Sequence, residues 1–247
     1  MKRRIFTQAT LTTLLLAAGC SAPDRTTAPQ PTRTAGWVTP PMIESAHRTV
    51  SGLTINGRAT PLGRVVLRGA GETAYATGAD PQGRFQLRIQ APAADTLFVV
   101  EAMEGQEASP APYRLFASRD PQGPIALLAA GAPTRRLDPG GVLDVIDSDG
   151  GALAASGRAT PGRMVPVAVA GRPAIQARTG SDGRWSVVLD STASTAAAVT
   201  VGDRTYAYPG PEAGGSGLVV QRTPGGWRLS WPLSPQSRQS SWFPSAG

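Results

Sequence analysis

Gly57-Arg58-Ala59-Thr60-Pro61 returns as Gly157-Arg158-Ala159-Thr160-Pro161, one hundred positions further along a chain of 247 residues. A stretch repeated at fixed spacing means that one structural unit is built twice, and any fold for this chain has to contain it twice. The correspondence runs on. Arg64-Val65-Val66-Leu67 matches Met164-Val165-Pro166-Val167. Thr77-Gly78-Ala79-Asp80-Pro81-Gln82-Gly83-Arg84-Phe85-Gln86-Leu87 matches Thr179-Gly180-Ser181-Asp182-Gly183-Arg184-Trp185-Ser186-Val187, with two residues redistributed. Upstream, Met42-Ile43-Glu44 meets Val142-Leu143-Asp144. The units are therefore 42–141 and 142–247, the second including a C-terminal tail.

Within each unit the apolar residues alternate with polar ones: Val65 and Leu67; Phe85, Leu87 and Ile89; Leu97 and Val99; Val165, Val167 and Val169; Trp185, Val187 and Leu189. Period two over short runs is the signature of half-buried strands. The 29 Gly and 23 Pro would suit a disordered chain if apolar residues were scarce, but these make up 40% of it, so the Gly and Pro read as turns. Asp80-Pro81-Gln82-Gly83 and Ser181-Asp182-Gly183 are expected to close hairpins, Gly supplying the positive φ. Thr223-Pro224-Gly225-Gly226 is expected to close a last hairpin between Leu218–Arg222 and Trp227–Trp231. No helical period is present outside the N-terminus. The expectation is an all-β fold of two tandem Greek-key β-sandwiches, each of a length that suits an Ig-like domain.

Gly-x-Ala-x-Pro, a Val-rich strand, then Thr-Gly-x-Asp with Gly-Arg-Phe or Gly-Arg-Trp resembles the carboxypeptidase regulatory-like (transthyretin-like, or prealbumin-like) domain over roughly half of each copy. The resemblance implies a seven-stranded sandwich and a non-catalytic module that contacts carbohydrate or other protein domains. It transfers no active-site residue.

The N-terminus carries a different message. Lys2-Arg3-Arg4 precedes a mostly apolar stretch from Ile5 to Leu16, the pattern of an export signal over residues 1–19 and too short for a lasting membrane span. Leu16-Ala17-Ala18-Gly19-Cys20 resembles the lipobox of bacterial lipoproteins, although Ala17 stands where that family usually has Leu. The resemblance implies a diacylated Cys20, a membrane partner, and, with Ser21 rather than Asp next, the outer membrane. Cys20 is the single cysteine, and an unpaired thiol in an oxidising compartment is a liability that acylation removes. Residues 20–41, with Pro23, Pro29, Pro31, Pro40 and Pro41, read as an extended tether.

The rest of the sequence excludes more chemistry than it offers. Loss of Lys2, Arg3 and Arg4 with the signal lowers the formal charge from +7 to about +4, no other Lys occurs, and the Arg residues are scattered. A nucleic-acid surface would need them concentrated. His47 is the only histidine, which rules out His-based triads and multi-His metal sites. No cofactor is implied. Asp144, Asp147 and Asp149 before Gly150-Gly151 bear comparison with calcium loops, but the Glu that completes an EF-hand is missing. Asp147 and Asp149 remain a weak calcium candidate beside the plainer reading, an acidic connection between sandwiches. Trp227, Trp231 and Trp242 could stack on sugars or anchor a protein, or could simply cover a core. Trp242, placed beyond the last expected strand, is the one expected to be exposed. These features point to a membrane-anchored, non-catalytic structural or interaction module with envelope proteins as partners. The alternative is a carbohydrate- or peptidoglycan-binding module that uses the C-terminal aromatics.

Overall fold

The computed structural model describes residues 39–71, 73–105, 107–189, 195–211 and 215–245, and every regular element among them is a β-strand. Cys20, the signal and the tether up to residue 38 lie outside the described residues.

The duplication seen in the residues is a duplication of strand pairing. In the first copy β1 (Met42–Thr49), β2 (Gly52–Arg58) and β5 (Arg84–Gln90) form one antiparallel sheet in the order β1-β2-β5. β3 (Arg64–Arg68), β4 (Ala74–Gly78), β6 (Thr96–Glu104) and β7 (Glu107–Ala117) belong to another, ordered β4-β3-β6-β7. In the second copy β10 (Leu143–Ser148), β11 (Leu153–Arg158) and β14 (Arg184–Leu189) repeat the first pattern. β12 (Met164–Val169), β13 (Ile175–Arg178), β15 (Ala197–Val201) and β16 (Arg204–Tyr208) repeat the second, in the order β13-β12-β15-β16. Between the sheets of each copy lies a core. Ile43, Leu53, Ile55, Leu67, Phe85, Phe98 and Leu115 fill the first. Leu143, Ile146, Leu153, Val167, Trp185, Val199 and Tyr208 fill the second.

The recurring Gly of the repeat has a steric cause. Gly57 pairs with Phe85 and Gly157 with Trp185, and a Cβ on either glycine would fall 2.2 Å from the Met42 carbonyl or 2.0 Å from the Val142 carbonyl, with the aromatic ring at 2.6–2.7 Å. The opposite strand bulges at the matching place, between Ile43 and Ser45 and between Leu143 and Val145. Gly, bulge and ring are thus one packing device made twice. Because the colliding oxygens belong to the backbone, Gly157→Ala is expected to lower unfolding free energy by about 3 kcal/mol, near the upper end for overpacking. Gly162→Ala, which meets only the strain of φ +76° with no atom in the way, should cost about 1 kcal/mol. Urea denaturation of the two variants checks the order.

Two expectations need correction. Asp80-Pro81-Gln82-Gly83 and Ser181-Asp182-Gly183 do not close hairpins within a sheet: β4 pairs with β3 and β5 with β2, so each turn carries the chain from one sheet to the other. Its closure is tight all the same, with Asp80 N–H donating to the Arg84 carbonyl at 2.8 Å and Gly83 at φ +76°. Alternation looks the same whether the next strand pairs beside its predecessor or faces it, so period alone could not choose. The second correction is a one-residue phase error in β6. Phe98 and Val100, rather than Leu97 and Val99, face the first core. Leu97-Phe98-Val99-Val100 is apolar on both faces because Leu97 packs into a further core.

That further core comes from strands added outside the repeat. β8 (Ile125–Leu128) and the short β9 (Arg135–Arg136) extend the four-stranded sheet of the first copy. β19 (Arg238–Pro244), β18 (Gly226–Pro232) and β17 (Val219–Thr223) extend the three-stranded sheet of the second, with β19 pairing against β10. The turn at Pro224-Gly225 between β17 and β18 forms as expected. Phe116, Ala126 and Leu128 from the first copy meet Val145, Leu229, Trp231 and Phe243 from the second, giving a buried cluster that belongs to neither sandwich alone. The described residues accordingly form one compact unit.

Candidate functional site

The structure disperses the residues singled out in the sequence. Trp242 lies within β19 rather than beyond the last strand, and its ring is 1% exposed, edge-on to Tyr208 at 5.9 Å, with Nε1 donating to Thr223 at 3.0 Å. Trp231 is buried in the cluster between copies. Neither offers a face to a ligand. The burial of Trp231 agrees with the core-covering alternative, whereas Trp242 was expected outside because a strand added at the C-terminus turns a tail into a core element. Trp227 is half-buried beneath the Arg222 guanidinium, 4.9 Å from its ring centre. His47 stands exposed on β1.

Asp147 and Asp149 do not converge. Both oxygens of the buried Asp147 are occupied: Oδ2 accepts from Thr134 N–H at 2.7 Å, and Oδ1 from Ser241 Oγ at 2.5 Å and Gln239 Nε2 at 3.2 Å. Asp149 turns outward and accepts from the backbone N–H groups of Gly151 and Ala152, which hold its carboxyl below the usual range. Among the described residues no group of three His, Cys, Asp or Glu side chains is placed to hold a metal ion.

What the fold does assemble is an arginine-walled cleft where the linker between copies crosses the second sandwich. Its origin is visible by comparing the copies. Glu44 and Arg58 form an ion pair at 2.8 Å in the open; the same positions one hundred residues on, Asp144 and Arg158, pair at 2.7 Å with the Asp144 side chain only 2% exposed. The difference is the linker. Arg158 donates to the carbonyls of Arg136 and Asp138, both at 2.9 Å, and Arg184 to that of Arg136 at 3.3 Å. Arg136 is itself buried, paired with Asp138 at 2.7 Å and donating to the Pro244 carbonyl at 2.7 Å. Arg135 reaches the other way, to the Glu44 carbonyl of the first copy at 2.8 Å.

The remaining space is a cleft of about 460 Å³, with Arg135, Arg178, Arg184, Asp144, Ser186 and Trp185 among its walls. Burial, followed by repulsion from Arg135 and Arg158, holds the Arg184 guanidinium below its ordinary pKa. Burial pushes the Asp144 carboxyl up despite the attraction of Arg158 and Arg184. On residues of the walls, the donors Arg135 Nε and Trp185 Nε1 and the acceptor Asp144 Oδ1 are buried without a hydrogen-bond partner in the chain. Buried polar groups of this kind are uncommon and call for an explanation at each occurrence. Arg135 and Arg178 did not stand out in the sequence, because one lies in the short β9 of the linker and the other at the end of β13. The Arg158 and Arg184 of the repeat were the legible part.

No protein-family model matches the chain, and no curated protein matches it.

Proposed function

We propose that this chain is a lipoprotein of the cell envelope, held on a membrane through acylated Cys20, and that its two copies form a non-catalytic structural and interaction module. The observation that carries the reading is the buried cluster between copies. It joins β7 and β8 of one sandwich to β10, β18 and β19 of the other, so the second copy is held in a fixed relation to the first. A fused pair of this kind suits a spacer or presenting surface, for which constant geometry matters more than chemistry. Both strongly buried acids fit the same picture, since Asp147 and Asp144 tie strands and linker together. The shared strand order of the copies supports the duplication of one domain, and the repeated residues are the ground for proposing a carboxypeptidase regulatory-like ancestry for it. The glycan-binding alternative loses Trp231 and Trp242, whose rings are enclosed.

The anchor is tested by fractionation. Wild type is expected in the membrane pellet, and in the outer-membrane band of a density gradient, while Cys20→Ala is released to the soluble fraction. Two or three acyl chains give stable anchoring, and none remains in the variant. Retention of Cys20→Ala on the membrane, or intact wild-type protein without acyl mass, would overturn the proposal. Crosslinking in intact cells, read by mass spectrometry, then identifies the neighbours.

A further inference from the structure

We propose that the arginine-walled cleft of the second copy is a binding site for an oxyanion, a carboxylate or phosphate carried on a small polar molecule. The site does not depend on the lipid anchor, and failure of either reading leaves the other standing.

The first argument is the balance of donors and acceptors. Arg135, Arg178 and Arg184 bring guanidinium groups to one cleft, with Arg158 beside them, whereas the acids there are Asp144 and Asp182. Asp144 is committed through one oxygen: its Oδ2 accepts from Arg158 at 2.7 Å and faces Arg184 at 3.7 Å, while its Oδ1 is buried without a hydrogen-bond partner. Asp182 accepts from the Arg184 backbone N–H at 3.1 Å. The chain therefore supplies donors in excess and positive charge in excess. Charged oxygens on a ligand answer both, and charge-assisted hydrogen bonds to guanidinium are the strongest of their kind.

The second argument is the rigidity of the walls. The Trp185 side chain is 3% exposed and packed in the core of the second copy, and the outer nitrogens of Arg135 are fixed by the carbonyls of Ile43 and Glu44. Walls held in place in this way are what a preformed site presents.

The third argument is the comparison of copies. The first copy has Glu44, Arg58 and Arg84 at the corresponding positions, but its ion pair is open to solvent. Only in the second does the linker at Pro133–Arg135 wall the groove and add a further arginine. A volume of about 460 Å³ falls in the range of small-molecule sites, enough for one sugar-sized unit.

The test uses detergent-solubilised full-length protein titrated calorimetrically with sodium phosphate, sodium glucuronate and glucose, with tryptophan emission followed in parallel. Saturable binding of phosphate or glucuronate, weakened by added salt and absent with glucose, is expected. The tighter of the two anions identifies the source as phosphorylated or as an acidic sugar. Arg184→Gln should weaken binding about tenfold, the scale of one lost charge-assisted hydrogen bond. Arg178→Gln, at an exposed position where folding is not at risk, should weaken it about threefold. Trp185→Phe should remove most of the emission change. No saturable heat from either anion at about 10 mM, binding of glucose as tight as of glucuronate, or unchanged affinity in the Arg184→Gln, Arg178→Gln double variant would overturn the proposal.

Discussion

Phe243→Ala is expected to cost about 3–5 kcal/mol and to split one thermal transition into two. The cost follows from burial: the ring is fully enclosed, and removing a core Phe loses its transfer free energy and leaves a cavity the backbone does not close. The splitting follows from position. Phe243 lies in the cluster between copies, against Phe116, Ala126 and Leu128 on one side and Val145 and Leu229 on the other. The Arg136 guanidinium sits 6.0 Å from its ring centre and donates to the carbonyl of the next residue, Pro244. Each sandwich keeps a core of its own, so loss of the shared cluster removes what makes them melt together rather than what makes each fold. Scanning calorimetry should show a single endotherm for wild type and two for the variant. A single unshifted endotherm for Phe243→Ala would mean that the cluster contributes little to the coupling on which the proposed spacer role depends.

The strands of the repeat were legible because their physics is local. Gly57 and Gly157, the alternating Val and Phe positions and the turn glycines all answer to a neighbour within one unit, and a motif repeated at fixed spacing displays that neighbour twice. The elements joining the copies were not legible. Val145 looked like one more residue of β10, yet it faces away from Leu143 and Ile146 and into the shared cluster. β10 is buried along its whole length because β19 and the linker cover the side that β1 leaves exposed. Trp242 was misplaced for the same reason: which side of a strand is covered depends on what docks there, and no periodicity records that. The cleft shows the same limit. Arg158 and Arg184 could be found by the repeat, but Arg135 joins them only through the path of the linker.

Asp147 carries the second large effect, and its sign with pH is opposite to that of an ordinary acid. Its carboxylate binds Thr134 of the linker and Ser241 and Gln239 of β19, so one side chain pins two segments that sequence separates widely. Asp147→Ala should cost about 3–5 kcal/mol, because the N–H of Thr134 stays buried without an acceptor and the Gln239 amide keeps only its bond to Thr134 Oγ1. Asp147→Asn should cost less, since Oδ1 can be retained while the amide nitrogen opposes the Thr134 N–H. Burial pushes the Asp147 carboxyl above its ordinary pKa, although the bonds from Ser241, Thr134 and Gln239 favour the charged form. A folded-state value above the unfolded one of about 3.9 means that the native state binds the proton first. The stabilisation from that proton is fully present below about pH 4 and is lost as pH rises through the folded value. Asp149 works the other way, but it is largely solvated and screened. Wild-type stability, measured by urea midpoints in steps from pH 4 to pH 8, should therefore fall with rising pH more steeply than that of Asp147→Asn. Asp144 remains in both proteins, so the difference between the two curves isolates Asp147. Parallel curves, or a wild type that gains stability relative to the variant as pH rises, would show that the buried carboxylate is stabilised in its charged form and that the strands are pinned by charge.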